Sequence, residues 1–597
     1  MQHLTTQVLV VGGGTGGTAA AIQAARAGVE VILVSEFNWL GGMLTAAGVA
    51  APDGNELAAW QTGLWGAFIR EVQNRQFVDQ AWVSFFTYRP AVGAQIFAEW
   101  VAALPNLRWI SGYIPQTVNR VGHRIVGVEF APADRYQLPQ PQNQLPPLNI
   151  QAQITIDGTE LGDLLALGDI PHRWGWDWRE SWSEPSAPPL PNPITATYPV
   201  QAPTWVVMLQ DYGENKTAPA IAPSPLWDEA KFRGAWAGYA PDYFLNYGRL
   251  PGNQFMLNWP QNGNDYGVNL NRLIASPAAR EEFFRESLWH SQDFAHYIQL
   301  HLGQRYGLAR DVFPLDQPTL GGCEFALYPY FRESRRLIGI TTVTEFGILP
   351  QGQVAPLPVN EQGQITSVAV GNYPNDHHYP GFEFKLAPKS ICWGGRWTGT
   401  PFTIPLGALI PAGMDGFICC DKNISVSHIA NGATRLQPLV LNIGQAAGMA
   451  AALAIKTKTS LAELKIEQLQ WALLKDPQAP AAIIPFYNLP PDHPEWFIAQ
   501  LNVLRHAAPY PPSGYAPLSV PPPPPHLSQI PSLTGIITQA DSQTYQLTDA
   551  SAQAWALVTL QAEIEQQLKT LHLGQVVTVW GTPNLSGKWI RVVALET

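Results

Sequence analysis

The stretch that most constrains the fold is residues 8–36, VLVVGGGTGGTAAAIQAARAGVEVILVSE. An unbroken apolar run leads into a glycine cluster, an alanine-rich stretch and a second apolar run. This order is typical of a buried parallel strand, a tight turn, a helix and a neighbouring parallel strand. It predicts an α/β fold that begins with a Rossmann-like domain.

The glycine cluster predicts a dinucleotide site. Gly12, Gly14 and Gly17 satisfy G-x-G-x-x-G, with Thr15 and Gly16 completing the loop. The first glycine allows the tight turn, the second lets a pyrophosphate approach the backbone, and the third lets the helix pack on the strand. The helix N-terminus adds unpaired N–H groups and the positive end of its dipole.

The residue that ends the second strand narrows the choice of dinucleotide. Glu36 stands where a carboxylate can accept hydrogen bonds from ribose hydroxyls. The same carboxylate would repel a ribose 2′-phosphate, which disfavours NADP. FAD and NAD both stay open on this segment alone.

Composition excludes several other classes. The 597 residues suit two to four domains, and 46% hydrophobic residues give ample core. A net charge of −11 disfavours a general nucleic-acid binder. Four cysteines without a CxxC motif provide neither a disulfide framework nor a visible zinc or iron–sulfur site, and they favour the cytoplasm. We expect no signal peptide, because the first strand begins by about residue 6, and no membrane span, because the apolar run at 439–455 is short and interrupted.

Shifts in composition predict five parts. A discontinuous nucleotide-binding domain is followed by an inserted α+β substrate domain, a helical extension, a proline-rich polyproline II linker and a small β-rich, OB-like domain. The respective ranges are 1–170 with 391–456, then 171–390, 457–508, 509–531 and 532–597. Residues 131–149 read as a surface loop, and the last part reads as strand, strand, helix, strand, strand.

Four segments together carry a resemblance to a known family. They are VVGGGTGGTAAAIQAARAG with VILVSE and LGGM, then IDGTELGDLLAL, YFRESRRLIG and NISVSHIANGATRLQPLVLNIGQAAGMAAALA. They resemble the FAD-dependent oxidoreductases of the glutathione-reductase-like flavoprotein group, over about residues 5–508. The resemblance implies FAD, held noncovalently by default, in an α/β domain interrupted by a substrate domain. It implies no particular substrate.

The resemblance also suggests cofactor contacts beyond the glycine loop. In similar flavoproteins an acid at the place of Asp421 contacts the ribityl chain or pyrophosphate, although Lys422 departs from the usual pattern. The small-residue helix around Gly444 would stabilise a reduced flavin if its N-terminus faced the ring; a simple packing helix is the alternative. Asp163 fits a turn near the cofactor or a helix cap. The further predicted contacts are Gly42, Met43, Gln445 and Ala446.

Three clusters are candidates for chemistry. Arg332, within YFRESRR, could bind a substrate carboxylate or belong to a salt-bridge network. His377, within NYPNDHHY, could line the pocket or lie in a surface turn; on a strand, His377 and His378 would point to opposite faces. His428 is expected beside the flavin as a proton acceptor, with Arg435 fixing an acidic substrate or the reduced flavin, and a structural histidine is equally open.

Together these observations predict an FAD-dependent oxidoreductase. A small organic substrate, for which an anionic group is one option, would pass hydride to flavin N5, and an unidentified acceptor would reoxidise the flavin. One alternative is a flavoprotein that modifies nucleic acid through its OB-like domain. Others are a non-catalytic FAD-stabilised assembly protein and an NAD-only dehydrogenase. The oligomeric state stays open.

Overall fold

A computed structural model describes residues 1–133, 145–521, 526–541 and 544–597. Most of the predicted surface loop at 131–149 lies outside the described residues, as do residues 522–525 of the predicted polyproline linker.

The chain contains strands and helices in mixed order along its length. The strands are β1 (Gln2–Val11), β2 (Val31–Ser35), β3 (Leu107–Ser111), β4 (Tyr113–Val121), β5 (Arg124–Pro132), β6 (Leu148–Asp157), β7 (His172–Arg173), β8 (Val207–Asp211), β9 (Arg249–Leu250), β10 (Gln254–Leu257), β11 (Tyr306–Leu308), β12 (Arg336–Leu337), β13 (Ser367–Asn372), β14 (Ser390–Trp393), β15 (Arg396–Gly399), β16 (Pro401–Pro405), β17 (Phe417–Cys419), β18 (Ser532–Ala540), β19 (Tyr545–Asp549), β20 (Ala554–Val558), β21 (Val576–Asn584) and β22 (Trp589–Glu596). The α-helices are α1 (Thr15–Arg26), α2 (Gly63–Arg75), α3 (Pro90–Ala102), α4 (Asp163–Leu167), α5 (Arg179–Trp182), α6 (Pro193–Thr197), α7 (Pro241–Leu245), α8 (Arg272–Ala275), α9 (Pro277–Leu302), α10 (His428–Thr434), α11 (Gln437–Thr457), α12 (Ile466–Leu474), α13 (Trp496–Leu504) and α14 (Ala562–Leu568).

The main sheet has the order β3-β2-β1-β6-β5-β4, and β17 also pairs with β6. β3, β2, β1, β6 and β17 run parallel, whereas the β4–β5 hairpin is antiparallel. Val11 is in register with Val34 and Asp157, and Asp157 with Cys419. The carboxyl ends of four parallel strands therefore meet at one edge, where open α/β sheets bind their ligands.

Small residues let α1 and α11 pack backbone to backbone beside this edge. A Cβ on Gly444 would lie 2.2 Å from the carbonyl oxygen of Gly16, and one on Gly448 would lie 2.3 Å from that of Ala20. α11 is the one helix in the described ranges that is long and apolar enough to cross a bilayer, and 89% of its most apolar window is buried in the protein. It is a core helix, as the sequence predicts.

The region between β6 and β17 builds other sheets. β11, β8, β10 and β9 form a four-stranded antiparallel sheet on which the long helix α9 packs. β14 pairs with β15, and β16 pairs with β13. The predicted return to the nucleotide domain at residue 391 thus reaches the main sheet only at Phe417. The domain boundaries proposed from sequence stay predictions.

The C-terminal region forms a closed barrel with the order β18-β19-β20-β22-β21. The prediction from sequence is wrong by one strand here, because β18 and β19 are two antiparallel strands where a single strand is predicted over 534–549. Trp589 packs on Phe85 of the main body, and the Asn584 amide donates to the Asp79 carboxylate at 2.6 Å. The barrel is therefore anchored to the main body, and its OB-like character stays a prediction.

Candidate active site

A cleft opens at the carboxyl edge of the main sheet, with an empty volume of about 770 Å³. We call it the cofactor cleft. Its walls come from the glycine loop, the end of β2, the start of β4 and the turn after β6. The lining residues that matter below are Gly12, Gly14, Glu36, Glu160 and Asp163.

The glycine loop has the geometry of a phosphate cradle. Gly12 has φ +104°, and a Cβ there would lie 2.3 Å from the carbonyl oxygen of Gly158. A Cβ on Gly17 would lie 2.0 Å from the carbonyl oxygen of Gly12. The N–H groups of Gly13 and Gly14 have no hydrogen-bond acceptor among the described residues. These unpaired donors at the start of α1 fit a pyrophosphate.

A second glycine segment braces this loop from outside. The Thr15 hydroxyl donates to the carbonyl oxygen of Gly41 at 2.9 Å and accepts from the Met43 N–H at 3.2 Å. A Cβ on Gly42 would lie 2.5 Å from the Thr15 nitrogen. Thr15, Gly42 and Met43, all predicted cofactor contacts, hold the cradle in shape, and none of the three lines the cleft itself.

Asp421 fastens the glycine loop to the turn that follows β17. Its Oδ2 accepts from the Gly16 N–H at 2.8 Å, and its Oδ1 accepts from Lys422 Nζ at 2.8 Å. A Cβ on Gly16 would lie 1.8 Å from the carbonyl oxygen of Cys420, so that position also requires glycine. Asp421 is thus bonded within the protein, and its predicted contact with the ribityl chain or pyrophosphate stays a prediction.

Lys422 links Asp421 to Glu160, which lines the cofactor cleft. Its Nζ donates to Glu160 Oε2 at 2.7 Å, and the Tyr328 hydroxyl donates to Glu160 Oε1 at 2.9 Å. Burial raises the pKa of Glu160, and Lys422 partly offsets that shift. Burial would lower the pKa of Lys422, but Asp421 and Glu160 outweigh it and raise the pKa. A charged pair thus lies beside Gly14.

Asp163 lines the cleft as an ion-paired residue. Its carboxylate accepts from Arg280 at 2.9 and 3.1 Å and from Arg335 at 3.0 Å. The N-cap residue of α4 is Gly162, with no side-chain cap bond, so the capping alternative does not hold. Arg335 thereby joins the turn after β6 to the RESRR segment.

α11 begins seven residues before Gly444. Gly444 packs on α1, and Ala446 is fully buried. The Gln445 side-chain amide accepts from the Leu64 N–H at 2.9 Å and donates to the carbonyl oxygen of Ala479 at 2.8 Å. These three residues lie inside the helix and contact neighbouring segments of the protein, and their contacts with the cofactor stay predictions. The helix N-terminus is instead Leu436 and Gln437.

The N-terminus of α11 lines a second cavity, which we call the polar pocket, with about 360 Å³ of empty volume. Leu436 and Gln437 form one part of its wall. Charged and polar side chains from distant segments form most of the rest. They are Asp53, Tyr247, Asn258, Tyr330, Arg332, Tyr373, Asp376, His378 and Arg435.

Both arginines of the polar pocket have acidic partners. Arg435 forms an ion pair with Asp376 at 2.9 Å and donates to the Tyr330 hydroxyl at 2.7 Å. Arg332 forms an ion pair with Asp265 at 3.1 Å and donates to Asn258 at 3.1 Å. Arg332 and Arg435 therefore lie where the sequence analysis expects a substrate, within a salt-bridge network.

His378 connects these two ion pairs. Its Nδ1 lies 2.6 Å from Asp265, and its Nε2 lies 2.9 Å from Asp376. Burial would raise the pKa of Asp376, but His378 and Arg435 outweigh it and hold the pKa well below its usual value. Asp376 is therefore a permanent anion of the wall.

Asp53 differs from the other acids around this pocket in its bonding. Its carboxylate lines the cavity and has no hydrogen-bond or ion-pair partner among the described residues. Burial raises its pKa to about 7, with Glu56 adding to the shift and Arg435 opposing it. Asp53 can therefore change protonation near neutral pH.

The other two predicted catalytic residues lie in a buried cluster that we call the closed network. It consists of Glu333, Arg336, His377, Tyr379 and His428. His428 Nδ1 lies 2.8 Å from Glu333, and its Nε2 lies 2.6 Å from the Tyr379 hydroxyl. His377 lies 2.8 Å from that hydroxyl and 3.0 Å from the carbonyl oxygen of Ile429.

In the closed network both histidines are bonded within the protein, and their expected catalytic roles stay predictions. His428 is fully buried, stacks against Trp176, and lines neither the cofactor cleft nor the polar pocket. Burial and the nearby His428 lower the pKa of His377 to about 3, so His377 stays neutral. It is His378 that reaches the polar pocket, and the two neighbouring histidines face opposite sides as predicted.

Sequence reasoning missed three residues that the structure makes prominent. They are Asp53, Glu160 and Gln437. Glu160 lies between Asp157 and Asp163, and Gln437 lies two residues after Arg435, so both were neighbours of residues already considered. Pro438 was a usable signal for the helix start, because proline is common in the first turn of a helix. Nothing in the sequence near Asp53 indicates its position.

The parallel sheet, its glycine cradle and Glu36 at the cleft define a dinucleotide-binding α/β protein. The profile of the family described as FAD dependent oxidoreductase matches residues 7–473, and the chain belongs to that family. It is an FAD-dependent enzyme. The unpaired Gly13 and Gly14 N–H groups and the position of Glu36 fit FAD in the cofactor cleft. The narrower glutathione-reductase-like assignment stays a prediction.

Solved structures share only a distant likeness. THI4 from Thermovibrio ammonificans is 19% identical, covering 29% of this chain and 67% of its own, with a TM-score of 0.22. A geranylgeranyl bacteriochlorophyll reductase-like protein from Thermoplasma acidophilum is 10% identical, covering 84% and 88%, with a TM-score of 0.32. L-proline dehydrogenase from P. horikoshii is 16% identical, covering 30% of this chain and only 25% of its own, with a TM-score of 0.16. These scores carry no functional argument, and no curated protein matches the chain significantly.

Proposed function

We propose that this enzyme oxidises a small organic molecule bound in the polar pocket, with FAD in the cofactor cleft as the hydride acceptor. The observation that carries the proposal is the position of α11. This helix packs against α1 behind the glycine cradle, and its N-terminal residues Leu436 and Gln437 line the polar pocket. One rigid element therefore joins the two cavities.

FAD, when bound, supplies the two-electron chemistry, and the protein supplies binding, orientation and proton handling. Gly13 and Gly14 offer N–H groups to the pyrophosphate, and Glu36 accepts from ribose hydroxyls. In the polar pocket, Arg332 and Arg435 are fixed by acidic partners and hold the wall in one arrangement. Such fixed charges favour one orientation of a polar substrate.

Gly14→Ala tests the cofactor half of the proposal. Gly14 has φ −63°, which alanine tolerates, but the added Cβ would lie 3.0 Å from Glu160 and 3.1 Å from the carbonyl oxygen of Gly158. The purified wild-type protein should show oxidised-flavin absorption, with FAD released into solution on heating. Gly14→Ala should fold but lose most of the flavin. Gly347→Ala is the control, since its Cβ would lie 3.9 Å from its nearest neighbour.

An anaerobic donor screen tests the substrate half. Loss of flavin absorption on adding a donor, and its return on adding an acceptor, would support the proposal. A flavin-free wild-type protein that also takes up no added FAD would overturn it.

A further inference from the structure

We propose that the polar pocket binds a protonated amine, with the Asp53 carboxylate as its partner and proton acceptor. This inference rests on the proposed function, because it names the substrate class of the same site. It differs from the anionic option that the arginine-rich sequence suggests.

The first argument is the balance of charge around the pocket. Two guanidinium groups, Arg332 and Arg435, face three carboxylates, Asp265, Asp376 and Asp53. Asp265 and Asp376 are the partners of the two arginines, which leaves the charge of Asp53 uncompensated. Even a protonated His378 brings the total only to zero. An anionic ligand would add negative charge to this cluster, whereas an ammonium group would neutralise it.

The second argument is the availability of hydrogen-bonding groups. Asp53 is cavity-facing and unpartnered among the described residues, so its oxygens can accept from a ligand. The Nε–H groups of Arg332 and Arg435 also have no acceptor in the described parts, but both atoms are closed off from the cavity. The pocket therefore presents an acceptor that a ligand can reach.

The third argument is the aromatic lining. Tyr247, Tyr330 and Tyr373 line the same cavity. The Arg332 guanidinium already lies over the Tyr330 ring, 4.9 Å from its centroid. Asp53 lies close enough to Tyr247 and Tyr373 to add to the burial that raises the pKa of both hydroxyls, and aromatic rings attract cations.

Burial raises the pKa of Asp53 to about 7, so both its carboxylate and its protonated form are populated near neutral pH and the group can exchange a proton with an amine. The groups that influence Asp53 from the elements around it are Glu56, Tyr247, Tyr373, Asp376, Arg396 and Arg435. The two nearby acids oppose ionisation and the two arginines favour it. Burial and the balance of these charges place the pKa of Asp53 near neutral pH, where it can exchange a proton with a bound ammonium group.

The proposed step balances as follows. The ammonium group gives one proton to the Asp53 carboxylate and becomes a neutral amine. The C–H bond on the adjacent carbon then breaks, bound FAD would accept the hydride with both electrons of that bond, and the nitrogen lone pair forms a C=N bond. The substrate loses two electrons, and water hydrolyses the iminium cation to a carbonyl compound and an ammonium ion, which carries away the positive charge.

Three probes of nearly equal shape test the charge preference: benzylamine, benzyl alcohol and benzoate. Their binding to the FAD-loaded protein is measured by isothermal titration calorimetry at pH 7.5. We expect benzylamine to bind most tightly and benzoate least tightly. Benzoate binding most tightly, equal binding of all three, or no binding by any of them would overturn the inference.

Asp53→Asn identifies the responsible residue, because it keeps the shape and removes the charge. Its affinity for benzylamine should fall about tenfold or more, while that for benzyl alcohol changes little. Asp492→Asn makes the same chemical change at an exposed aspartate and should leave both affinities unchanged. Unchanged benzylamine binding in Asp53→Asn would contradict the assignment.

The two proposals can fail separately. Calorimetry reads binding without turnover, so the probe ranking holds or fails whether or not a donor reduces the flavin. If the protein takes up no added FAD, the same calorimetry is run without the cofactor, and a preference for benzylamine there would overturn the proposed function alone. A yellow protein that is reduced by a donor but prefers benzoate would overturn the amine inference alone.

Discussion

The polar pocket and the closed network lie on opposite sides of one short segment and differ in how fully their groups are bonded. Asp376 and His378 face the pocket, whereas His377 and Tyr379 face the closed network. In the closed network both ring nitrogens of His428 have partners and the residue is fully buried. In the pocket the Asp53 carboxylate has no partner among the described residues.

This difference teaches that residue type alone does not separate structural from chemical roles. A buried histidine whose two nitrogens are both bonded has no position left for a substrate. A carboxylate that faces a cavity without a partner has its full bonding capacity available. Whether a side chain already has its hydrogen-bond partners, more than its residue type, therefore indicates whether it can contact a substrate.

The largest expected effect comes from breaking the closed network at its central acid. Glu333→Ala leaves Arg336 and His428 without their shared carboxylate, and both are fully buried. Removing one partner of a buried ion pair costs about 3–5 kcal/mol. We expect a fall of several degrees in the melting temperature of the FAD-loaded protein. Glu361→Ala, an exposed glutamate, is the control, and equal melting temperatures would show that the network does not stabilise the fold.

A pH series compares the stability of the wild type with that of Asp53→Asn, in which the polar pocket lacks this carboxyl group. Because the pKa of Asp53 is raised to about 7, the folded protein keeps a proton that the unfolded chain loses near pH 4. The stability from that proton is complete below about pH 4 and is lost as the pH rises through about 7.

Relative to Asp53→Asn, the wild type should therefore lose about 1–3 kcal/mol between pH 4 and pH 8. Melting temperatures measured across this range check it. Parallel curves for the two proteins would mean that Asp53 has an ordinary pKa.

A smaller effect should follow when one arginine of the pocket loses its partner. Asp376→Asn removes the carboxylate that pairs with Arg435 and leaves a guanidinium available to an anion. Benzoate affinity should rise about tenfold, equivalent to ~1.4 kcal/mol, and benzylamine affinity should fall. Calorimetry with both probes measures the change, and an unaltered ratio of the two affinities would argue against the charge balance.

The smallest expected effect lies in the closed network again. Tyr379→Phe removes a hydroxyl that bonds both His377 and His428, at a cost of about 1–3 kcal/mol for the groups left unpaired, and we expect the lower end. Probe affinities should not change, because Tyr379 does not line the polar pocket. Tyr239→Phe, at an exposed tyrosine, is the control. A shift in benzylamine affinity would show that the two clusters are coupled.

The cofactor half of the molecule could be predicted from sequence because its signals are local. The turn at Gly12, the helix after it and the acid at Glu36 lie within one continuous stretch, and the structure places them as expected. The contacts of Gly444 could not be predicted in the same way, because they depend on which face of α11 meets α1.

The polar pocket could be predicted only in part. Arg332 and Arg435 were found because charged clusters are visible in a sequence. Asp53 and Asn258 come from distant segments, and only the folded chain brings them to the same cavity. Alternation along an extended chain predicts that His377 and His378 face opposite sides. It does not predict which of the two faces the polar pocket.

The bond between Gly16 and Asp421 joins residues 405 positions apart. A ribosome synthesising this protein completes the glycine loop early, but the acid that fastens it and the helix that packs behind it arrive only after more than two thirds of the chain. We therefore expect flavin to load late in biosynthesis. A chain released before α11 is made would carry a recognisable nucleotide motif without a finished site to hold the cofactor.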